Sequence, residues 1–183
     1  MKQVSVFLAE GFEEIEALTV TDLLRRAGIN VQNVSVTGQR IVKGSHQIGV
    51  ETDALFEEMD FTNMDMLVLP GGMPGTLNLQ KHEGLETLLK QFYLDKKYLA
   101  AICAAPTVLG AWGFLENRKA CCYPSMEEQL KAKEVIQNQE VVVDEMVITS
   151  RGLGTAIPFA LKLIELLCGN EKAEEIGKSI VYL

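Results

Sequence analysis

A cysteine stands at the centre of a run of small residues, Ala101-Ile102-Cys103-Ala104-Ala105. This is the small-x-nucleophile-x-small pattern of a nucleophile elbow, a sharp strand-to-helix turn whose flanking side chains must be small. The central side chain of such a turn is exposed at the carboxyl edge of a parallel sheet, where open α/β folds bind ligands. Amide N–H groups of the helix that follows favour a thiolate over a thiol. The pattern therefore predicts a nucleophilic Cys103, whereas the simpler interpretation is a buried cysteine that closes a strand.

The other three cysteines, Cys121, Cys122 and Cys168, do not share this setting. They have neither the CxxC spacing of a redox pair nor that of a zinc site. We predict a strand for the first two and a helix for the third, with no turn to expose them. We therefore expect them to be packing residues.

Glu16 falls on the apolar stripe of the first predicted helix, four and seven residues before Val20 and Leu23. A carboxylate that points inward must be paired or protonated, because burying the bare charge is costly. Beside a thiolate, a protonated Glu16 would donate a hydrogen bond and lower the pKa of the thiol. The alternative is a carboxylate at the helix end that reaches solvent. Glu13 and Glu14, in the first helical turn, are expected to cap the helix or to be solvated.

A second tight turn, Pro70-Gly71-Gly72, follows a short apolar strand. Two glycines there leave backbone N–H groups free to face a ligand, as in an oxyanion hole. The same residues also suit a turn with no chemical role. Both interpretations remain open on the sequence alone.

Strands and helices alternate along the chain around these turns. The predicted strands are Val4–Leu8, Val31–Val36, Met66–Leu69, Tyr98–Ile102 and Met146–Thr149, with weaker ones at Ala120–Tyr123 and Val141–Val143. The predicted helices are Ile15–Ala27, Glu83–Leu94, a segment after Cys103 and one from its cap Thr155 to Leu167, and a hairpin spans Ile41–Val50. Such alternation indicates an α/β fold, a mostly parallel sheet with helices on both faces and an added hairpin. No repeat or linker divides residues 1–183, so we predict one domain.

The composition excludes several classes of partner. The formal net charge is −8 and no Lys/Arg cluster interrupts that acidity, so we expect no binding to nucleic acid or to an anionic membrane. No apolar run approaches the roughly 20 residues that span a bilayer. Met1-Lys2-Gln3 leads into an alternating strand rather than a signal-peptide apolar region, and we therefore expect a cytoplasmic protein.

Together these residues resemble the ThiJ/PfpI superfamily, and specifically its DJ-1 family, over nearly the whole chain. The resemblance runs in order through five blocks, Leu8 to Glu16, Arg25 to Gly28, Leu69 to Gly72, Ala101 to Thr107, and Thr149 to Gly152. It implies a flavodoxin-like three-layer sandwich, usually a homodimer, with no metal or organic cofactor.

The resemblance also implies roles for individual residues. Cys103 would be the reactive thiol and Glu16 its protonated partner, with Gly72 an oxyanion donor. Gly71 and Ala104 are further candidates for oxyanion or substrate binding. For the dimer interface, we expect the first helix and the turn at residues 151–153.

Departures from the family pattern restrict the chemistry. The PfpI-like protease branch has histidine directly after the nucleophile, where this chain has Ala104. The only histidines, His46 and His82, precede the cysteine, so neither fits the downstream histidine of a glutamine amidotransferase triad. Tyr123, a possible neighbour of the site, stands where many DJ-1 relatives carry histidine, and in this it is similar to the YajL-like bacterial branch.

Two functions follow as hypotheses. The first is a glyoxalase or protein deglycase, in which Cys103 adds to the aldehyde of a dicarbonyl such as methylglyoxal, or acts on early glycation adducts. The second is non-catalytic, an oxidative-stress sensor and chaperone that uses oxidation of Cys103 to the sulfinic acid. An acidic, exposed thiol with a hydrogen-bond donor beside it would serve either role.

Overall fold

The computed structural model describes residues 1–183 and contains eleven strands and seven α-helices. The strands are β1 (Gln3–Leu8), β2 (Asn30–Ser35), β3 (Ile41–Lys43), β4 (Gly49–Glu51), β5 (Ala54–Leu55), β6 (Met66–Leu69), β7 (Tyr98–Ile102), β8 (Lys119–Ala120), β9 (Glu134–Val135), β10 (Val141–Asp144) and β11 (Val147–Ser150). The helices are α1 (Glu14–Arg26), α2 (Gly75–Gln80), α3 (Glu83–Leu94), α4 (Pro106–Ala111), α5 (Glu127–Leu130), α6 (Ala156–Cys168) and α7 (Asn170–Ser179).

Seven strands form the central sheet, in the order β10-β11-β7-β6-β1-β2-β5. Every neighbouring pair is parallel except the edge pair of β10 and β11. Five parallel strands remain when the edge strands β5 and β10 are left out. Numbered from 1 to 5 in chain order, they are arranged 2-1-3-4-5 across the sheet. This is the flavodoxin-like order of doubly wound folds, and it confirms the predicted fold class.

Alternation along β1 shows how the sheet separates two apolar layers. Val4, Val6 and Leu8 belong to the cluster that contains the inner faces of α1 and α6. Phe7 points to the opposite face, into the cluster that holds the apolar residues of α3 and α4. Because successive side chains of a strand face opposite sides, a strand buried on both faces must be apolar at nearly every position.

The first helix follows its sequence signals. Glu13 caps α1, because its carboxylate accepts a hydrogen bond from the backbone N–H of Glu16 at 2.8 Å. Capping was one of the two roles expected for Glu13. At the other end Gly28 adopts the left-handed region, with φ +79°, directly after the capping Ala27. Glycine is the usual residue at this C′ position, because it adopts the left-handed region without a clash from a Cβ.

Two predictions of local structure need correction. The predicted hairpin is present, and its strands β3 and β4 form a two-stranded sheet of their own. The strand expected through Tyr123 ends at Ala120, and the helices α2, α5 and α7 were not predicted. Thr155 precedes α6 without capping it, because its hydroxyl donates to the carbonyl of Gly152 at 2.9 Å.

No helix combines the length and the apolar character that crossing a bilayer requires.

Candidate active site

The candidate site lies where three neighbouring parallel strands end. β1, β6 and β7 are adjacent in the sheet, so the segments that leave their carboxyl ends converge. Glu16 comes from α1 after β1, Gly71 and Gly72 follow β6, and Cys103 follows β7. The order of the strands reverses between β1 and β6, and ligands of doubly wound folds bind at such a point.

Cys103 has the backbone conformation of a nucleophile elbow. Its φ is +66°, in the left-handed region that a residue with a Cβ rarely adopts, and its N–H donates to the carbonyl of Ser150 at 3.0 Å. The neighbours Ala101, Ala104 and Ala105 are buried and the cysteine itself is partly exposed. Helix α4, however, begins only at Pro106 and has six residues, so the N–H groups next to the cysteine belong to the turn rather than to a helix.

Glu16 points into the protein, as its place on the apolar stripe predicted, and it is 1% exposed. Its Oε2 accepts a hydrogen bond from the N–H of Gly71 at 2.9 Å. Its Oε1 is buried and has no hydrogen-bond partner among the polypeptide's oxygen and nitrogen atoms. Burial raises the pKa of Glu16 to about 7, although hydrogen bonding to Cys103 and to Gly71 opposes that rise. A proton on Oε1 would give this oxygen a partner, namely the neighbouring sulfur.

The thiol and the carboxyl titrate as a pair. Burial raises the pKa of Cys103 to about 12, and the charge of Glu16 and its hydrogen bond to the thiol add to that rise. The backbone N–H groups of Ala104 and Gly72 oppose it. The contributions of Glu16 arise from its ionised form, so they disappear when Glu16 keeps a proton. The turn alone therefore does not make the thiol acidic, contrary to the sequence-based expectation, and protonation of Glu16 favours the thiolate.

The two glycines of the second turn have different roles. The N–H of Gly71 is already donated to Glu16, so the expectation that it faces a ligand is wrong. Gly72 adopts φ +93°, and its N–H lies beside the cysteine sulfur, as does that of Ala104. Neither of these two groups donates to another oxygen of the protein. Gly72 and Ala104 thus form the pair of donors that can face an oxyanion.

Gly71 is required by the closeness of the two reacting side chains. A Cβ at this position would lie 2.6 Å from the Cβ of Cys103 and 2.8 Å from Oε2 of Glu16. We expect Gly71→Ala to destabilise the fold by about 1–3 kcal/mol, the usual cost of overpacking, and to slow alkylation of Cys103. Urea unfolding measures the first effect. Gly154→Ala is the matched control, because a Cβ there meets nothing within 4 Å, and an equal loss in both variants would contradict the packing argument.

A pocket of about 280 Å³ opens above the thiol. Its lining comprises Gly72, Met73, Cys103, Ala104, Tyr123, Ser125 and Met126. The N–H of Tyr123 donates to the carbonyl of Cys103 at 2.7 Å and its ring is half exposed, so Tyr123 is a neighbour of the site as expected. A larger hollow of about 440 Å³ lies between α1 and the C-terminal segment, but it contains no nucleophile. The sequence did not predict that Met73 and Met126 line the pocket, because the loops that hold them have no periodicity.

The remaining cysteines divide differently from the prediction. Cys121 and Cys122 are buried, and burial is the main cause that raises the pKa of each, that of Cys122 to about 12. Cys168 is exposed at the end of α6, so its assignment as a packing residue is wrong. None of the three lines the pocket that contains Cys103.

Glu14 is the main polar residue that sequence reasoning misplaced. It is 2% exposed, and its carboxylate accepts from the N–H of His46 at 2.8 Å and from that of Ile48. Hydrogen bonding to His46 and Ile48 outweighs the effect of burial and lowers the pKa of Glu14. This carboxylate therefore anchors the β3–β4 hairpin to the start of α1. Its partners lie more than 30 residues away along the chain, and no local pattern reveals them.

Glu13, Glu14 and His46 are the residues that could hold a metal ion, since one ligand atom from each lies within 4.8 Å of the others. Carboxylate oxygen and imidazole nitrogen are zinc ligands in proteins. Two of these side chains, however, already have structural hydrogen bonds, to the helix N-terminus and to the hairpin backbone. His82 is bound elsewhere, because its Nδ1 accepts from the N–H of Leu85 and caps α3. Neither histidine lines the pocket above the cysteine.

Comparison with known proteins gives consistent matches over the whole chain. The profile of the DJ-1/PfpI family matches residues 2–166. Protein DJ-1 homolog B of Arabidopsis thaliana is 39% identical over 98% of this chain and 41% of its own length. This chain therefore spans less than half of that plant relative. Glutathione-independent glyoxalase DJR-1.2 of Caenorhabditis elegans is 33% identical over 93% of this chain and 91% of its own length.

A solved structure matches equally well. Oxidised DJ-1 of Toxoplasma gondii superposes with a TM-score of 0.95 at 38% sequence identity, covering 100% of this chain and 99% of that one.

Proposed function

The chain belongs to the DJ-1/PfpI family, and from that premise we propose that it is a glutathione-independent glyoxalase that uses Cys103 and no cofactor. One observation carries the proposal. A buried carboxyl with a pKa near 7, Glu16, has an unpartnered oxygen and lies beside a cysteine in a strained elbow. A group that titrates near neutral pH is suited to both donate and accept a proton during one reaction. The name of the nematode relative adds support.

In the first step the thiolate of Cys103 attacks the aldehyde carbon of a 2-oxoaldehyde, and an S–C bond forms. The electron pair of the carbonyl moves to its oxygen, where the N–H groups of Gly72 and Ala104 are placed to stabilise the charge. Glu16 gives its proton to that oxygen. The products are a hemithioacetal and a Glu16 carboxylate.

In the second step Glu16 takes the proton from the same carbon, whose electron pair forms a double bond to the neighbouring carbon, and the keto oxygen takes the negative charge of the resulting enediolate. Glu16 then returns the proton to that neighbour, and the hydroxyl proton moves to the second oxygen. The first carbon is oxidised to a thioester and the second is reduced to an alcohol, so no external oxidant is needed. Water then breaks the S–C bond, which releases a 2-hydroxy acid and restores the thiol and carboxyl pair.

Deglycase activity is the finer alternative within the same chemistry. An early adduct of methylglyoxal on a cysteine, lysine or arginine side chain is a hemithioacetal or hemiaminal. When its C–S or C–N bond breaks, the side-chain thiol or amine is released and the aldehyde re-forms, and the thiolate of Cys103 can attack that aldehyde in the same way. Such adducts reach the sulfur only through the mouth of the pocket. We keep free dicarbonyls as the primary substrate, because the pocket is small.

The test is turnover of methylglyoxal by purified protein with no glutathione or other thiol present. We expect one lactate for each methylglyoxal consumed, detected with lactate dehydrogenase. Disappearance of methylglyoxal without lactate would indicate scavenging by side chains, and absence of both would contradict the proposal.

A second candidate function is an oxidative-stress sensor, and the donors around the sulfur favour it. The N–H groups of Gly72 and Ala104 and a proton on Glu16 surround Cys103, so they would also hold the two oxygens of a sulfinate. The matched structure of the Toxoplasma gondii protein is described as oxidised.

Peroxide treatment distinguishes the oxidation products. No other cysteine lines the pocket of Cys103, so a sulfenic acid formed there lacks a resolving thiol. We expect mild peroxide to add two oxygens, mapped to Cys103 by mass spectrometry and absent in Cys103→Ser. A disulfide to Cys121 or Cys122 would overturn this expectation. Ready sulfinic acid formation without any lactate production would favour the sensor over the enzyme.

The homodimer stays a prediction. Ile15 on α1 and Leu153 in the turn before α6 are both about half exposed, at 49% and 50%. These lie in the two segments that we expect near the interface.

A further inference from the structure

The pocket above Cys103 is lined by backbone N–H donors and by an apolar wall. The donors are the backbone N–H groups of Gly72 and Ala104, next to the sulfur. The lining also contains the side chains of Met73, Tyr123 and Met126, which form its apolar wall. No charged side chain lines this pocket, and the one aliphatic hydroxyl in its lining belongs to Ser125. A ligand that reacts at the sulfur therefore places its carbonyl oxygens and its substituent in different surroundings.

Met73 and Tyr123 leave much of their surface available for contact, whereas Met126 also packs against the apolar cluster that holds α3 and α4. Met73 is 46% exposed and Tyr123 is 50% exposed, so both have surface that a ligand can cover. Methionine has a flexible, polarisable thioether that adapts to irregular apolar groups and contacts aromatic rings favourably. Covering these side chains with an apolar substituent removes apolar surface from water on both partners.

The same wall penalises polar substituents. A hydroxyl placed against Met73 or Met126 loses its hydrogen bonds to water, and these two side chains offer no replacement of comparable strength, which disfavours binding. A charged group would lack any counter-ion in the lining. The volume of about 280 Å³ is at the lower limit for ligand pockets and leaves little room for a long hydroxylated chain.

We propose that Met73, Tyr123 and Met126 are specificity-determining residues that select 2-oxoaldehydes with an uncharged apolar substituent on the keto carbon. This inference rests on the proposed glyoxalase function. It predicts that aryl- and alkylglyoxals are good substrates and that sugar-derived, hydroxylated dicarbonyls are poor substrates.

The test compares three substrates that differ only in the substituent: phenylglyoxal, methylglyoxal and hydroxypyruvaldehyde, which carry phenyl, methyl and hydroxymethyl groups. We expect kcat/KM for phenylglyoxal to exceed that for methylglyoxal by about 10-fold, and hydroxypyruvaldehyde to fall below methylglyoxal by a similar factor. Equal values for the three substrates, or an inverted order, would overturn the inference while leaving the glyoxalase function intact.

The decisive variant is Met73→Gln, which keeps the length of the side chain and adds polar atoms. We expect it to reduce the preference for phenylglyoxal over methylglyoxal by about three- to tenfold, mainly through KM. Leu77→Gln is the matched control, since Leu77 is also 46% exposed but does not line the pocket. An equal change in both variants would show that general surface polarity, not the wall, sets the preference.

A measurement that needs no turnover separates this inference from the function on which it rests. N-benzyl chloroacetamide and chloroacetamide alkylate Cys103 in the same way but differ in apolar size. Relative to their rates with free cysteine, we expect the benzyl reagent to gain about 10-fold on Cys103, and Met73→Gln to remove most of that gain. If this preference appears while no aldehyde is converted, the apolar wall stands and the glyoxalase proposal fails. If aldehydes are converted without any such preference, the proposed role of the apolar wall in substrate selection is wrong.

Discussion

Replacement of Cys103 by alanine is expected to reduce lactate formation from methylglyoxal by at least about 10³-fold, because the variant has no atom that can form the covalent intermediate. The loss should appear in kcat for every 2-oxoaldehyde that the wild-type protein converts. Lactate measured enzymatically at saturating methylglyoxal is the readout. Cys103→Ser retains a hydroxyl but not a thiolate near neutral pH, so we expect it to be equally inactive.

The fold should survive these replacements, which makes the loss interpretable. Alanine keeps the Cβ that fits the turn, and the N–H of residue 103 still donates to Ser150. Cys168→Ser is the control, because Cys168 is exposed at the end of α6, far along the chain and outside the pocket lining. Unchanged lactate production in Cys103→Ala, or its loss in Cys168→Ser, would remove Cys103 from the mechanism.

The sequence predicted the central sheet well because buried parallel strands are apolar throughout. The structure has the same bounds as the prediction for two strands, Met66–Leu69 and Tyr98–Ile102. Each of them is followed directly by a tight turn. The position of Cys103 followed from the small residues around it. A local steric requirement of this kind can be recognised from a few consecutive residues of the sequence.

Features that depend on residues far apart in the sequence could not be predicted from it. The role of Glu14 comes from hydrogen bonds to a hairpin more than 30 residues away. The N–H of Gly71 is occupied because Glu16 lies across from it, 55 positions apart along the chain. Local patterns cannot contain such pairings, since only the folded topology brings these groups together.

The thiol's acidity illustrates the same limit with a chemical consequence. An elbow next to a helix predicts a lowered pKa from local N–H groups alone. In the structure the helix begins three residues later, and burial together with Glu16 raises the pKa of Cys103 to about 12. Activation of the sulfur therefore depends on the protonation of a residue from another strand end, and the two side chains form one titrating unit.

Replacement of Glu16 by glutamine is expected to lower turnover and to raise stability at the same time. Glutamine keeps an oxygen for the N–H of Gly71 and a donor for the sulfur, but it cannot carry a proton between two carbons. We expect kcat for methylglyoxal to fall by about 10²–10⁴-fold, the usual contribution of a general acid–base group. Glu16→Ala should lose turnover as well. It should also alkylate more slowly than Glu16→Gln near pH 7, because it lacks the donor that stabilises the thiolate.

The stability effect has a definite dependence on pH. The folded protein raises the pKa of Glu16 from 4.5 to about 7, so the folded state binds more protons than the unfolded state between these values. Stability consequently falls as the pH rises from 4.5 through 7, by on the order of 3 kcal/mol in total. Glutamine does not ionise and should avoid this loss. Urea unfolding should therefore show an advantage of Glu16→Gln over wild type that grows by about 2 kcal/mol between pH 5.5 and pH 8.

Glu51→Gln on the exposed strand β4 is the matched control and should show no such growth, since its side chain is exposed and makes no ion pair. A constant difference between Glu16→Gln and wild type across the same pH range would mean that the carboxyl ionises as freely in the folded protein as in the unfolded chain. Glu16 could then not hold the proton on which the thiolate depends. Retention of full turnover in Glu16→Gln would instead leave the stability argument intact and assign the proton transfer to water.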